Sequence, residues 1–260
     1  ASGQGNLAEA ENYLDQAMRL RPDDPALHAA RSNLAYQRCN LDRAVLEMER
    51  TVALAPDDAA NRGILALRYL AQDRPEAAAP IAAALQAASD SDFMAHLLAG
   101  SLLASSGDLR NAEAELRIAA SVAETAPLLL ALAQAGLGEI YQQQGDLAGA
   151  RAGYAAAVAS NAAYAPALVG LGDVALEEGQ PAAALASYDA ANAALATYGS
   201  VFGGDQAQLL AIYLASRRSL ALAAAGDDAG SALAQTAAEA QARAALAANP
   251  AWPDAHFALG

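Results

Sequence analysis

The feature that most constrains this chain is a spacing. Gly107 is a turn residue between two helical runs. Steps of 34 residues back from it reach Asp73, Cys39 and Gly5. Forward steps of 38, 34 and 47 reach Gly145, Gly179 and Gly226. Five residues after each of the first six turns stands alanine: Ala10, Ala44, Ala78, Ala112, Ala150 and Ala184. Pro22 and Pro56 follow the first two turns at a distance of 17, and later copies relax this slot to Asp90 and Glu124. Each slot has a physical reason. A small or turn-tolerant residue lets two antiparallel helices reverse direction. Alanine inside the second helix admits the first at close range. Proline after the second helix stops it and starts the next unit.

Composition agrees with a helical reading. Of the 260 residues 77 are alanine, the strongest helix former and a poor strand residue. The spacing predicts second helices over about 6–20, 40–54, 74–88, 108–123, 146–160, 180–196 and 229–248. First helices are expected over about 24–37, 58–71, 91–105, 126–144, 164–178 and 205–225, with another starting at 252–260. Asp23-Asp24, Asp57-Asp58, Asp90 to Asp92 and Asp227-Asp228 precede helices, where carboxylates cap free N–H groups. The interval of 38 adds about one turn to a first helix near Pro127. The interval of 47 adds 13 residues, read as an irregular insertion at 197–205 with Tyr198 and Phe202 as candidate contacts. Gly5 is read as the turn that ends a first helix.

A helix–turn–helix period of 34 is the signature of tetratricopeptide repeats. The best copies resemble that family closely: Gly136-Leu137-Gly138-Glu139-Ile140-Tyr141 with Gly145, Ala150, Tyr154 and Ala157, and Leu171-Gly172 with Gly179, Ala184, Tyr188 and Ala191. The family's early tryptophan is absent; His28, Arg62, His96, Gln134, Leu168, Ala215 and His256 fill that slot. The resemblance implies an all-α, right-handed superhelical solenoid of antiparallel helix pairs. It would be one array over 1–260, with about six complete repeats and a partial repeat at each end, as in a fragment of a longer array.

The residue inventory excludes several chemistries. All 15 basic residues are arginine, so no lysine can form a Schiff base or hold phosphate in a P-loop. A net charge of -14 opposes general affinity for nucleic acid or anionic membrane. One cysteine and three histidines build no ordinary zinc site. The most apolar run, around Ala126 to Ala133, is too short to span a membrane. His28, His96 and His256 occupy equivalent slots on different helices, so they do not converge on a ligand. No catalytic group, metal or cofactor is expected, and the chain is expected not to be an enzyme.

The resemblance implies binding through the concave face lined by first helices. The positions that match the family's groove are Asn33, Tyr36 and Gln37; Leu67 and Leu70; Leu97, Ser101 and Ser105; Glu139, Gln142 and Gln143; Asp173 and Glu177; and Ser216 and Leu220. Residues 1–74 carry a net charge of -2 and residues 75–260 a net charge of -12. The carboxylate and amide patch on the later repeats favours a basic or hydrogen-bonding peptide. Lysine is missing and the groove is acidic, so the chaperone-terminus grip of one subfamily is not implied. The expected role is a protein–protein interaction scaffold, soluble, in a bacterial cytoplasm or periplasm. The alternative is the recognition array of a larger glycosyltransferase or exopolysaccharide-export machine, and self-association through the groove is a third route.

Overall fold

The computed structural model describes residues 2–89, 92–202 and 204–248. Its helices are α1 (Ser2–Leu20), α2 (Pro25–Gln37), α3 (Leu41–Leu54), α4 (Ala59–Ala71), α5 (Pro75–Ala88), α6 (Phe93–Ser105) and α7 (Leu109–Val122). They continue with α8 (Pro127–Gln143), α9 (Leu147–Ser160), α10 (Ala165–Glu177), α11 (Pro181–Phe202), α12 (Gly204–Ala224) and α13 (Asp228–Ala248). No strand occurs among the described residues. The expected all-α array of helix pairs is what the chain forms. Helices α1–α7 make one compact unit and α8–α13 another, divided after Val122. The division falls at the first break in the 34-residue spacing.

The turns obey a single backbone rule. Cys39, Asp73, Gly107, Gly145, Gly179 and Gly226 all have positive φ, between 51° and 84°. In each, the next N–H reaches back five residues: Asn40 to Ala35, Arg74 to Tyr69, Asp108 to Leu103, Asp146 to Tyr141, Gln180 to Ala175 and Asp227 to Leu222. The turn residue's own N–H reaches back three, as Gly107 to Ala104. This is the Schellman closure, which satisfies carbonyls stranded at a helix end. The residue after the turn then opens the second helix. Asn40, Asp108, Asp146 and Asp227 accept from the N–H three residues on. Arg74 makes no such bond, and proline follows both Arg74 and Gln180 as the first helical residue. The expected aspartate caps of first helices hold at Asp24, Asp58 and Asp92; Asp90 lies outside the described residues.

Cys39 and Asp73 meet this rule without being glycine, which costs local strain. Asp73 is exposed and its side chain caps nothing. Asp73→Gly is therefore expected to stabilise the first unit by about 0.5–1 kcal/mol, the relief of left-handed backbone less glycine's entropy. Urea denaturation measures it, and Asp73→Ala serves as the control that gains nothing.

The helix pairs are held at close range. Ala44, Ala78, Ala112, Ala150 and Ala184 have no exposed surface, while Ala10 is half-buried. Facing them is a second small slot, stepping by the same intervals: Ser32, Ala66, Gly100, Gly138, Gly172 and Ser219. The Ser32 hydroxyl donates to the Ala44 carbonyl at 2.7 Å, and Ser219 donates to Ser231 at 3.0 Å. At Gly138 and Gly172 the buried rings of Tyr154 and Tyr188 fill the space that a Cβ would need.

Two expectations are corrected. Gly5 does not break the chain: α1 runs continuously from Ser2. A lone glycine within a helix costs only about 1 kcal/mol, so the helix carries on through it. The stretch 197–205 is not an irregular insertion either. α11 continues through Phe202 and α12 begins at Gly204; residue 203 lies outside the described residues. α11 has 22 residues where α9 has 14, and α12 has 21 where α10 has 13. The added residues lengthen two helices. The interval of 38 behaves as expected, giving α8 17 residues. The helix expected from 252 lies outside the described residues.

Candidate protein-binding face

In the second unit α8 packs on α10, and α10 on α12. The 34-residue step from Glu139 to Asp173 puts like slots on neighbouring helices. Glu139, Gln143 and Glu177 are exposed. The Gln142 amide donates to Glu177 Oε1 at 2.5 Å, and the Tyr154 hydroxyl donates to Gln142 Oε1 at 2.9 Å. Glu177 is thus joined to α8 through Gln142, not through Gln143 at the strict 34-residue step. Glu139 has an open surface but protein crowds around it, and this desolvation pushes its carboxyl up from the ordinary value. The Tyr154 hydroxyl is pushed up as well, first by burial and then by Glu139, Asp173, Tyr213 and Glu177 around it. Tyr213 and Leu220 of α12 are exposed apolar surface at 45% and 52%, and Ser216 between them is half-buried.

Asp173 differs from its neighbours. Its carboxylate accepts from Tyr188 at 2.6 Å, from Tyr213 at 3.0 Å and from Arg217 Nε at 2.7 Å. Its side chain is only 13% exposed. Burial works against the Arg217 charge, but Asp173 outweighs it and strengthens the guanidinium's hold on its proton. The expectation that Asp173 faces a partner alongside Glu139 and Glu177 is therefore corrected. Its hydrogen-bonding capacity is committed to tying α10 to α11 and α12. Sequence reading missed Tyr213 and Arg217, which lie 40 and 44 residues from Asp173. The signal was present in the spacing of Tyr213 and Arg217, four apart on one face of α12.

The first unit presents a different surface. Asn33 is exposed, with Tyr36 and Gln37 half-buried beside it. The Arg68 guanidinium lies 3.6 Å above the Tyr36 ring and donates to Asn33 Oδ1 at 3.0 Å. Leu67 and Leu70 are half-buried, packed against the core under α4. Leu97 is 7% exposed and belongs to the core instead of the face. Ser101 and Ser105 donate their hydroxyls to Leu97 and Leu102 of their own helix.

The remaining candidates have structural partners. His28 and His96 pair through Nδ1 with Glu47 and Glu115, each at 2.7 Å, so the repeat carries a recurrent His–Glu contact. His256 lies outside the described residues. Cys39 is buried at its turn. Tyr198 is in α11, with its ring 6.4 Å from that of Tyr164; it packs on the core of the second unit and is not an insertion-loop contact. Phe202 closes α11, and its side chain lies outside the description. Among the described residues no group of three His, Cys, Asp or Glu could hold a metal ion. No described helix is long and apolar enough to cross a membrane.

Residues 1–67 match the family model described as tetratricopeptide repeat. No curated protein matches the sequence. Solved structures do match. The structure from a functional characterisation of Pseudomonas aeruginosa pilF is 16% identical with a TM-score of 0.54, covering 90% of this chain and 95% of that one. A tetratricopeptide repeat protein from Parabacteroides merdae is 17% identical with a TM-score of 0.61, covering 92% and 88%. The hetero-tetramer Cut9-Hcn1 gives 13% identity and a TM-score of 0.65, with 97% of this chain on 52% of that one. At these identities the likeness speaks to the fold alone. The family match thus covers residues 1–67, and the turns, the small-residue slots and the solved structures show one all-α fold of antiparallel helix pairs along the chain.

Proposed function

We propose that this chain is a protein-interaction scaffold whose second unit receives a basic or hydrogen-bonding segment of a partner protein. Arrays of this fold typically mediate protein interactions. The observation that carries the finer reading is the cluster of Glu139, Gln142, Gln143 and Glu177 on adjoining faces of α8 and α10. Glu139 is the key member. Desolvation makes its charge costly, and a cationic partner side chain beside it would offset that cost. Exposed Tyr213 and Leu220 on α12 add apolar surface for the aliphatic stem of an arginine or lysine.

The test is Glu139→Gln together with Glu177→Gln, with Asp173 left intact. Partners captured by the parent chain are expected to bind the double variant about ten-fold or more weakly, as when a charge-assisted contact is lost. Unchanged affinity overturns the assignment. A second expectation concerns the free chain. A carboxyl whose value is raised by folding favours the folded state when protonated, and that advantage is lost as pH rises through the folded value. Glu139→Gln should therefore melt above the parent at neutral pH. The gap should close as pH falls and Glu139 takes up its proton. Melting curves across that pH range check the direction.

A further inference from the structure

The slot nine residues after a turn plugs the middle of each second helix. In α3, α5 and α7 it is apolar: Met48, Ala82 and Leu116, all buried. In α9 and α11 the same step reaches Tyr154 and Tyr188, buried just as deeply. The core therefore does not require a hydroxyl here, and a buried hydroxyl is costly unless it is bonded. Tyr188 donates to Asp173, which is already committed to Tyr213 and Arg217. Tyr154 donates instead to Gln142, a member of the acidic face. Space for its ring is cleared on both sides. A Cβ on Gly138 of α8 would stand 2.8 Å from the ring, and one on Gly170 of α10 would stand 2.5 Å from it. The direction of the bonds follows from their chemistry. A carboxylate only accepts, so Gln142 turns its NH2 to Glu177 and its oxygen to Tyr154. Burial, and then the acids around it, push the Tyr154 hydroxyl up from its ordinary value, which keeps it a donor. Glu177 is exposed, and its Oε2 takes no bond among the described residues.

We propose that Tyr154 is a positioning residue of the binding face: through Gln142 it holds Glu177 at the α8 side of the seam, with Oε2 presented to a cationic side chain of the partner. The proposal rests on the reading of this face as the site for a basic segment. An exposed glutamate without such a tether samples several rotamers, and binding has to still them. A carboxylate already held meets the cation at lower entropic cost.

The test is a double-mutant cycle in the full chain. The probe is acetyl-Ala-Arg-Ala-Arg-Ala-amide, with citrulline in place of both arginines as the neutral control, at constant ionic strength. The parent is expected to bind the arginine peptide saturably and not the citrulline peptide. Tyr154→Phe keeps the ring in its slot and removes only the hydroxyl. It is expected to weaken the arginine peptide about five-fold, the worth of one hydrogen bond, and to add nothing once Glu177 is changed to Gln. A second readout is the pair of side-chain amide protons of Gln142, assigned by their loss in Gln142→Met. In the parent the proton held by Glu177 should lie downfield of its partner, and in Tyr154→Phe the two should draw together. Equal weakening by Tyr154→Phe with and without Glu177→Gln would make the effect one of packing and overturn the proposal. Full binding by Tyr154→Phe overturns it too, as does an unchanged pair of Gln142 signals. In each of these cases the acidic face itself stands if Glu177→Gln weakens the arginine peptide. A parent that does not prefer arginine to citrulline overturns the reading of the face, and the positioning role with it.

Discussion

Asp173→Ala is expected to destabilise the second unit by about 2–4 kcal/mol, the range for stripping a largely buried carboxylate from its hydrogen-bonded partners. Three donors lose their acceptor at once. Tyr188 has no exposed surface, so its hydroxyl lacks an easy substitute in water. Arg217, at 25% exposure, loses the charge that outweighs its burial. Tyr213 is 45% exposed and can turn to solvent, which keeps the loss below that of a fully sealed network. Guanidinium denaturation of the parent and variant measures the change. Tyr188→Phe combined with it should be less than additive, because both remove the same bond. A loss below about 0.5 kcal/mol, the size of an ordinary surface change, would mean that Asp173 is free to serve a partner after all.

The parts legible in the sequence are those fixed by backbone geometry. A left-handed turn tolerates few side chains, so its six positions stand out even where Cys39 and Asp73 replace glycine. The alanine slot is equally plain, because helices in close contact leave room only for a methyl group. Caps follow from aspartate chemistry and fell where expected at Asp24, Asp58 and Asp92. The side-chain network was less legible. Spacing puts Glu139 and Asp173 in like slots, but it does not say that Tyr213 and Arg217 close on Asp173 from α12. That depends on which rotamers reach across a seam. At Gly5 and Gly199 the sequence offers a turn residue where the chain stays helical. Inside a helix glycine is a modest penalty, outweighed where the chain finds packing, as Tyr198 does beside Tyr164.

Ala150→Leu is expected to cost about 3 kcal/mol, the upper end of the usual range for overpacking. Ala150 has no exposed surface and lies between α8 and α9 in a cluster with Ala131, Ala135 and Tyr154. The reason for the upper end is one turn further along α9. A Cβ built on Gly153 would stand 2.7 Å from the Gly138 backbone nitrogen and 2.8 Å from its Cα. Here two backbones touch, so α9 cannot tilt toward α8 to compensate for a leucine at Ala150. It can only move away, which opens the packing around Tyr154. Gly153→Ala tests the same contact by its sign. In an ordinary helix this change gains about 1 kcal/mol of propensity. Against the backbone of Gly138 it should destabilise instead. Thermal unfolding of both variants gives the answer: a neutral Ala150→Leu with a stabilising Gly153→Ala would mean that the two helices are not held at this distance.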